Sequence, residues 1–473
     1  MGFIISLPFD LVGAIAFIFV LGAAVILHEF GHFIVAKILG IRVETFSFGF
    51  GPRLLGAKKG TTDYRISAIP LGGYVKLGGD ESNAPLEGEG ASDIPAHERF
   101  DLRPRWQRIL VAIAGPVMNI LTALAIPFAA ALIFGVQITP APVVSVVFPG
   151  GAAETAGLKP GDRIVSFNGN TNPKWDTISG DALLSPGQPL PIEVERNAQH
   201  LALTITPTAH TEEGETVGFL DFIPDYGNLP VTLHQVTPNS PASEAGLQVG
   251  DRVVAVNGEM VRSAEQVTQF VRAHRGQPIA LRVERNGQQH EVTATARKLD
   301  SEDQERLGIQ PSEDIPSRRV GVIGSVRYAS DKNIEIMRLT GKAFGQLIAG
   351  KRSVRNTISG PIGIYSAVST SVSRLGWDGV FSILGFLSLN LGIFNLLPIP
   401  VLDGGAIFLL LIEGLLATVG MTISATIRDR IQQIGFVVII MLMVFVITND
   451  VLKRWSLRQG ANNNPPATAT PAK

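Results

Sequence analysis

Four long apolar segments dominate the hydrophobic pattern of the chain. They cover residues of about 11–40, 109–136, 380–414 and 431–447. An α-helix needs about 20 consecutive apolar residues to cross the hydrocarbon core of a bilayer, and each segment reaches or approaches that length. We therefore predict a multi-pass α-helical membrane protein with four transmembrane helices. The first segment does not have the pattern of a secretory signal peptide, because it lacks a charged n-region and a small-residue cleavage site.

A second pattern, a short strand between two turns, occurs twice between the second and third apolar segments. The sequence AGLKPGDRIVSFNG at 156–169 returns as AGLQVGDRVVAVNG at 245–258, about 89 residues later. Each copy joins a helix end, a Gly-Asp turn, an apolar strand and an Asn-Gly turn that suits a hairpin. Both copies resemble the core of a PDZ domain. We predict two inserted β-rich PDZ-like domains, at 141–226 and 230–325.

In PDZ domains of the permuted, bacterial type, the loop and strand that bind a peptide come last in the chain. The candidate loop residues are Gly218 and Phe219 in the first copy, and Gly321 and Val322 in the second. PDZ folds take up an extended peptide at a sheet edge, which predicts contact with a peptide or substrate. The alternative is that the two domains only occupy space.

The remaining segments complete the predicted domain order. The first helix occupies 1–40, and a cytoplasmic region at 41–104 contains two short strands around a Pro/Gly turn at 64–77. The second helix occupies 105–137. Segment 326–377 is amphipathic, which fits either a helix at the membrane interface or a plain surface helix. The third and fourth helices occupy 378–416 and 430–450, and the polar tail at 456–473 is predicted to be disordered.

Composition agrees with a membrane protein and narrows the chemistry. Hydrophobic residues make up 45% of the chain and charged residues 17%, and the formal net charge is −1. This balance gives no reason to expect a nucleic-acid partner. The chain contains no cysteine, which excludes disulfides and a thiol nucleophile.

The distribution of Lys and Arg predicts the orientation. Eight of these residues lie between the first and second helices, namely Lys37, Arg42, Arg53, Lys58, Lys59, Arg103, Arg105 and Arg108. Loops rich in Lys and Arg stay in the cytoplasm, so the N-terminus, the 140–375 region and the C-terminus are expected outside it. Arg428 and Arg430 agree with this orientation, whereas Lys453 and Arg454 disagree.

The candidate chemistry begins in the first helix with His28-Glu29-Phe30-Gly31-His32. Residues i and i+4 share one face of a helix, so both imidazoles can reach one zinc ion. Glu29 stands beside them as a candidate general base for a water molecule. Ionisable side chains inside a spanning helix are costly and usually functional. The alternative is two histidines that are satisfied by neighbouring helices.

A catalytic zinc site needs a third protein ligand. Asp403 is the only carboxylate in the segment NLLPIPVLDGG at 395–405, where two prolines interrupt the third apolar run. A helical rise of 1.5 Å per residue puts Asp403 about 35 Å and His28 about 26 Å from the outer membrane surface. Both residues are therefore expected in the inner half of the bilayer. The alternative is that Asp403 is only a helix N-cap after the proline break.

Together, the His-Glu-x-x-His motif and the Asn-x-x-Pro-x-Pro-x-Leu-Asp-Gly motif resemble the site-2 protease (M50-type) family of intramembrane zinc metalloproteases. The two inserted repeats are similar to those of its bacterial branch, as are the stretches AGPVMN at 114–119, PLGGYVK at 70–76 and SGP at 359–361. The resemblance implies Zn²⁺ as the cofactor, His28, His32 and Asp403 as its ligands, and Glu29 as the base. It also implies a location in the bacterial inner membrane, with the PDZ-like domains on the extracytoplasmic side.

The resemblance further implies a way to handle the substrate. Asn395 matches a substrate-handling residue near the metal. The 64–77 segment matches a re-entrant β-hairpin whose edge holds the unwound substrate, with Tyr64, Gly72, Gly73, Tyr74 and Val75 as candidate residues. For Pro116 and Asn119, the residues alone also allow a kink in the second helix with the amide satisfying freed backbone groups.

The implied substrates are single-spanning membrane proteins that an upstream site-1 protease has already trimmed, including anti-sigma factors and signal-peptide remnants, with membrane lipid around them. Two alternatives remain from the residues. One is a PDZ-bearing membrane scaffold with a structural or inactive zinc site, although such a site would not need Glu29. The other is a protease for soluble substrates, which the position of the motif within an apolar helix disfavours.

Overall fold

The computed structural model describes residues 9–80, 94–212, 215–227, 229–274, 276–298, 305–313, 315–352 and 360–463. The chain divides into two compact units, Met1–Ile133 with Val320–Lys473, and Phe134–Arg319. Segments 1–8, 81–93, 353–359 and 464–473 lie outside the described residues, so the parts of the predicted domains that fall on them have no structural account.

The first unit is mainly helical. Its helices are α1 (Phe9–Ile38), α2 (Arg105–Phe134), α7 (Val322–Ile348), α8 (Pro361–Leu375), α9 (Trp377–Asn395), α10 (Asp403–Thr418) and α11 (Ala425–Asn463). Within the described residues, four helices are long and apolar enough to cross a membrane, at Leu11–Ile38, Arg105–Phe134, Trp377–Asn395 and Thr426–Leu452. The third predicted span therefore ends at Asn395, and α10 is a separate helix after a break.

The last helix is longer than expected. α11 continues to Asn463, so the part of the predicted disordered tail before that residue is helical. Ser456, Leu457, Arg458 and Gln459 carry no helix-breaking residue, and they extend the preceding apolar helix at little cost in conformational propensity. The tail prediction relied on composition, which does not locate the end of a helix that has already formed.

Segment 326–377 contains most of α7 and all of α8, and both helices contact other helices of the first unit; its place relative to the membrane interface stays a prediction. In α7, Asn333 donates from Nδ2 to the Ala123 carbonyl of α2 at 3.0 Å, and the Phe344 ring meets the Phe394 ring of α9 at 5.5 Å. Helix α8 packs on α1, with Val368 in one buried cluster with Ala16, Val20 and Ala24. The segment resembled a surface helix in sequence because the partner of a polar residue such as Asn333 lies on a helix far away in the chain.

The first unit also contains a curled antiparallel pair, β1 (Val43–Lys59) and β2 (Thr62–Leu77). Segment 43–48 pairs with 73–77 on one side and with 63–66 on the other, and 53–59 pairs with 62–67. The resulting order is 53–59, 62–67, 43–48 and 73–77. The predicted hairpin within 64–77 is therefore wrong, because 43–48 lies between its two strands. Phe46, Phe48 and Phe50 recur at every second residue, and this period of two is the sequence signal for the central strand.

The second unit contains two sheets with the same topology. The first has the order β11-β4-β5-β7-β8 with β6 on β5, and the second has the order β19-β12-β13-β15-β16 with β14 on β13. The strands of the second unit are β3 (Val136–Gln137), β4 (Ala141–Val147), β5 (Arg163–Phe167), β6 (Asn170–Thr171), β7 (Leu190–Arg196), β8 (Gln199–Ile205), β9 (Thr208–Glu212), β10 (Glu215–Phe219), β11 (Phe222–Asp225), β12 (Val231–Val236), β13 (Arg252–Val256), β14 (Glu259–Met260), β15 (Pro278–Arg285), β16 (Gln288–Thr295), β17 (Arg297–Lys298), β18 (Glu305–Arg306), β19 (Ile309–Glu313) and β20 (Ser317–Arg318). Its helices are α3 (Ala152–Thr155), α4 (Trp175–Leu183), α5 (Pro241–Glu244) and α6 (Ala264–Ala273).

Each repeat buries an apolar core of its own and carries the same buried ion pair. Asp162 accepts two hydrogen bonds from Arg196, at 2.6 and 2.7 Å, and Asp251 accepts the same two from Arg285. Burial raises the pKa of Asp251, but the Arg285 hydrogen bonds and the Gln248 N–H outweigh it, so the pKa lies below its ordinary value. These pairs stabilise each repeat around its Gly-Asp turn.

The predicted peptide loops differ between the copies. Gly218 and Phe219 lie in β10, just before the last strand of the first sheet. Gly321 is the N-cap of α7 and Val322 its first residue, so the loop prediction for the second copy is wrong. The corresponding loop lies at 306–309, where Gly308 has a φ of +80°. The Leu-Gly-Ile pattern before β19 is the signal that could have located it.

Candidate metal centre

Three side chains from two distant parts of the chain converge in the first unit. His28 and His32 project from one face of α1, and Asp403 is the first residue of α10. His28 Nε2 lies 3.1 Å from Asp403 Oδ2 and 3.2 Å from His32 Nε2, and His32 Nε2 lies 3.5 Å from Asp403 Oδ1. Within the described residues, this is the one group of three or more His, Cys, Asp or Glu side chains with donor atoms close enough to hold a metal ion.

The donor set fits a zinc ion. Zinc–nitrogen and zinc–oxygen bonds of about 2.0–2.1 Å in a tetrahedral shell place neighbouring ligand atoms about 3.3 Å apart. The two imidazole nitrogens are 3.2 Å apart, and the Asp403 carboxylate approaches them at 3.1 Å through Oδ2 and at 3.5 Å through Oδ1, so all three contacts are near that value. Two imidazoles and one carboxylate also leave a fourth position open, as catalytic zinc sites do.

The sequence alternative that Asp403 is only a helix cap does not match the local structure. The N-cap of α10 is Leu402, and no side-chain cap hydrogen bond is present there. The carboxylate oxygens instead face the two imidazoles. The predicted interruption of the third apolar run is present in the structure, because α9 ends at Asn395 and α10 begins at Asp403.

Close approach of α1 and α2 shapes one wall of the centre. A Cβ atom on Gly31 would lie 2.2 Å from the Ala114 carbonyl oxygen, and one on Gly115 would lie 2.3 Å from His32 Nε2. A side chain at either position would therefore force its neighbour to move. Nearby, His32 Nδ1 lies 2.7 Å from the Val111 carbonyl oxygen, so the Nδ1–H donates to it and Nε2 keeps its lone pair for a metal.

Two asparagines adjoin His28. Asn395 Nδ2 lies 3.3 Å from His28 Nε2, and Asn119 Nδ2 lies 3.3 Å from His28 Nδ1. The structure therefore brings Asn395 to the centre, as the sequence predicted. It places Asn119 there as well, whereas the residues alone left its role open between this site and a kink in α2.

Glu29 connects the centre to the β-sheet. The Val75 N–H lies beside its carboxylate, and a Cβ on Gly73 would lie 3.7 Å from Glu29 Cγ. Segment 73–77 has one strand neighbour among the described residues, segment 43–48. A sheet edge thus passes beside the carboxylate.

The other candidate residues of the β-segment have different positions. Tyr74 receives a hydrogen bond from Arg65, and its ring stacks on Phe50 at 6.1 Å. Gly72 has no room for a Cβ, which would lie 2.4 Å from the Phe50 ring. Tyr64 lies on an interior strand between 43–48 and 53–59, so its place on the substrate-binding edge was predicted wrongly.

A His-Glu-x-x-His helix that meets a carboxylate beside apolar spans defines a membrane-embedded metalloprotease. Comparison with known proteins gives the family. Residues 16–442 match the model of peptidase family M50. The chain is 34% identical to the regulator of sigma-E protease RseP of Salmonella typhimurium, 33% to that of Escherichia coli and 32% to a putative zinc metalloprotease of Vibrio cholerae; each alignment covers 92% of this chain and 97% of the relative.

The chain belongs to peptidase family M50 and is an intramembrane zinc metalloprotease of the site-2 type. The predicted recognition, enzyme class and general function are confirmed. Among solved structures, the PDZ domain of the SdrC-like protein from Listeria monocytogenes is similar to 19% of this chain and is covered to 93%, at 14% identity and a TM-score of 0.17.

Proposed function

We propose that His28, His32 and Asp403 hold the catalytic zinc ion and that Glu29 is the general base for peptide-bond hydrolysis within transmembrane segments. The observation that carries this proposal is the convergence of two imidazole nitrogens and one carboxylate, whose donor atoms all lie within 4.8 Å of one another, a spacing that one tetrahedral ion can bridge. When bound, zinc supplies a Lewis acid that polarises the scissile carbonyl and activates water.

The remaining chemistry belongs to the side chains of the chain. Glu29 takes a proton from the attacking water and delivers it to the leaving amine. The Val75 N–H lies beside the Glu29 carboxylate, where it would orient the carboxylate for proton transfer. Asn395 lies close enough to the centre to donate its amide hydrogen to the substrate carbonyl.

The same geometry explains how a buried peptide bond becomes accessible. A transmembrane helix keeps its carbonyl groups in internal hydrogen bonds, so it must unwind before hydrolysis. Segment 73–77 offers a strand edge to the unwound residues, which add to it by backbone hydrogen bonding. Because Val75 belongs to this segment and also contacts Glu29, the substrate is delivered next to the base.

The substrate class follows from these requirements and from the relatives. We propose single-spanning membrane proteins already trimmed by a site-1 protease, including anti-sigma factors and signal-peptide remnants. The name of the Salmonella and Escherichia relatives, regulator of sigma-E protease, supports the first group. The location is the bacterial inner membrane, and the excess of Lys and Arg between α1 and α2 supports a position of the two repeats outside the cytoplasm.

The two repeats in the second unit are PDZ-like domains in this proposal. Their common strand order and separate cores support it. They act as a gate that rejects substrates with a bulky external domain and admits trimmed ones, because unrestricted access would endanger every nearby spanning helix.

The test combines metal content with cleavage. Replacing His32 with Ala leaves two ligands, and the purified variant is expected to lose zinc in elemental analysis. Glu29→Gln is the matched variant, because Gln keeps the shape of the side chain but cannot accept the proton; zinc is retained and cleavage is lost. Full zinc occupancy in the His32→Ala variant would refute the ligand assignment, and near-parental cleavage by Glu29→Gln would refute the base.

A further inference from the structure

Asn119 lies in the wall of the metal centre with one polar atom unused. Its side chain in α2 is fully buried. The amide Nδ2 lies 3.3 Å from His28 Nδ1, and the amide Oδ1 is buried without a hydrogen-bond partner among the described residues. A buried amide oxygen without a partner is costly, by about 1–3 kcal/mol.

The protonation required of His28 decides which amide atom faces it. His28 presents Nε2 to Asp403 and His32. A neutral imidazole that binds metal through Nε2 carries its hydrogen on Nδ1. That hydrogen needs an acceptor, and an NH₂ group cannot accept it. Exchanging the amide oxygen and nitrogen of Asn119, which have almost the same shape, gives the unused oxygen to the Nδ1–H.

We propose that the Asn119 amide oxygen accepts the hydrogen bond of His28 Nδ1–H and so positions His28 as a metal ligand. Asn119 is a positioning residue, since it acts through His28 and does not itself contact the substrate. The inference rests on the proposed metal site. It replaces a role in the kink of α2, because the observed contact of Asn119 is with His28 and not with the α2 backbone.

The two histidines then differ in how they are held. His32 donates to the backbone carbonyl of Val111 at 2.7 Å. Because this acceptor belongs to the main chain, a substitution at residue 111 does not remove it. His28 depends on a side chain. The orientation of His28 is therefore open to a single substitution that leaves every metal ligand in place.

The test measures zinc affinity directly. The purified full chain is equilibrated with zinc at buffered free concentrations, and bound zinc is measured by elemental analysis. Asn119→Leu keeps the size of the side chain but removes the acceptor, and a 10- to 100-fold loss of zinc affinity is expected. Asn119→Asp keeps an acceptor for the Nδ1–H, and its affinity is expected to equal or exceed that of the parent.

Thr122→Val is the matched control. Thr122 lies on the same helix and donates only to the Met118 carbonyl of its own helix, so this variant is expected to bind zinc as the parent does. Parental affinity in Asn119→Leu would overturn the proposal, and so would an equal loss in the Leu and Asp variants, which would indicate packing rather than hydrogen bonding. His32→Ala is measured in parallel. If the His32→Ala variant retains zinc, the proposed metal site is wrong. If His32→Ala loses zinc but Asn119→Leu does not, the metal site stands and the proposed role of Asn119 fails.

Discussion

Gly115 provides the sharpest test of how closely α2 is fitted to the metal ligands. A Cβ at this position would lie 2.3 Å from His32 Nε2, 2.6 Å from His32 Cε1 and 2.9 Å from His28 Cε1. Ordinary contacts between such atoms need about 3.5 Å. The Cβ is fixed to the helix backbone, so the imidazole rather than the new methyl group has to move.

The size of the effect follows from this overlap. Relieving it moves His32 Nε2 by about 1 Å, whereas a metal site tolerates deviations of about 0.2 Å from its preferred bond lengths. Overpacking of a tight site costs about 1–3 kcal/mol. If that cost falls on the metal-bound form, zinc affinity in Gly115→Ala drops between about 5-fold and 150-fold.

The assay is zinc occupancy at buffered free zinc, with cleavage of a trimmed substrate as a second readout. Gly385→Ala is the matched control, because Gly385 is also a glycine in a spanning helix that faces α2. Its Cβ would meet Ile126 at ordinary contact distances of 3.7 and 4.0 Å, so zinc affinity should be unchanged. Parental zinc affinity in Gly115→Ala would refute the geometry derived for the α1–α2 contact.

Three further outcomes are expected. Val75→Pro removes the N–H that lies beside the Glu29 carboxylate and should reduce cleavage while zinc content stays parental; unchanged turnover of several substrates would contradict both the edge and the proposed role of this N–H. Asp251→Asn removes the charge of a buried carboxylate whose partner, Arg285, is partly exposed; weakening these charge-assisted hydrogen bonds costs about 1.5–3 kcal/mol, so amide exchange should accelerate in the second repeat and not in the first. The same pair also gives a pH dependence: because the folded-state pKa of Asp251 is lowered, its stabilisation is present above the unfolded pKa of about 3.9 and is lost as the pH falls through the folded pKa. Amide protection in the second repeat, corrected for the intrinsic exchange rate at each pH, should therefore fall in that range, and unchanged protection would contradict this. Deleting about 139–315 and joining β3 to β20 by a short turn should newly permit cleavage of untrimmed substrates, and continued rejection by a zinc-loaded variant would contradict the gate.

Part of the proposed metal site could be predicted because the spacing of its residues has a direct geometric meaning. His28 and His32 are four residues apart on an apolar helix, and Asp403 is the carboxylate of an interrupted apolar run. The repeats were predictable for a similar reason, because a Gly-Asp pair recurs with similar neighbouring residues in both copies. Each of these signals lies within a short stretch of sequence.

Long-range partners were not predictable in this way. The sequence shows neither that segment 43–48 separates the two halves of 64–77 nor that Asn119 contacts His28 across about 90 residues. The mistaken loop at Gly321 has a related cause. In the first copy, Asp221 bonds the Ala152 N–H beside Gly151, whereas in the second copy Ser240 caps its own helix and Gly308 occupies the loop. Because both positions carry different residues in the two copies, the sequence does not show that the two loops correspond.

The break before Asp403 is held in place by its surroundings rather than by local preference. Val401 has a φ of +82°, a conformation that strains a β-branched residue by about 1–3 kcal/mol. The turn is also closed so tightly that a Cβ on Gly404 would lie 2.3 Å from the Leu396 carbonyl oxygen, and one on Gly405 would lie 2.2 Å from that of Ile399. A chain free to relax would straighten this segment and carry the first turn of α10 away from α9. Because the strain is maintained, the carboxylate of Asp403 stays at the positive end of the α10 dipole and faces both histidines, where the proposed zinc ion would offset the cost of burying it.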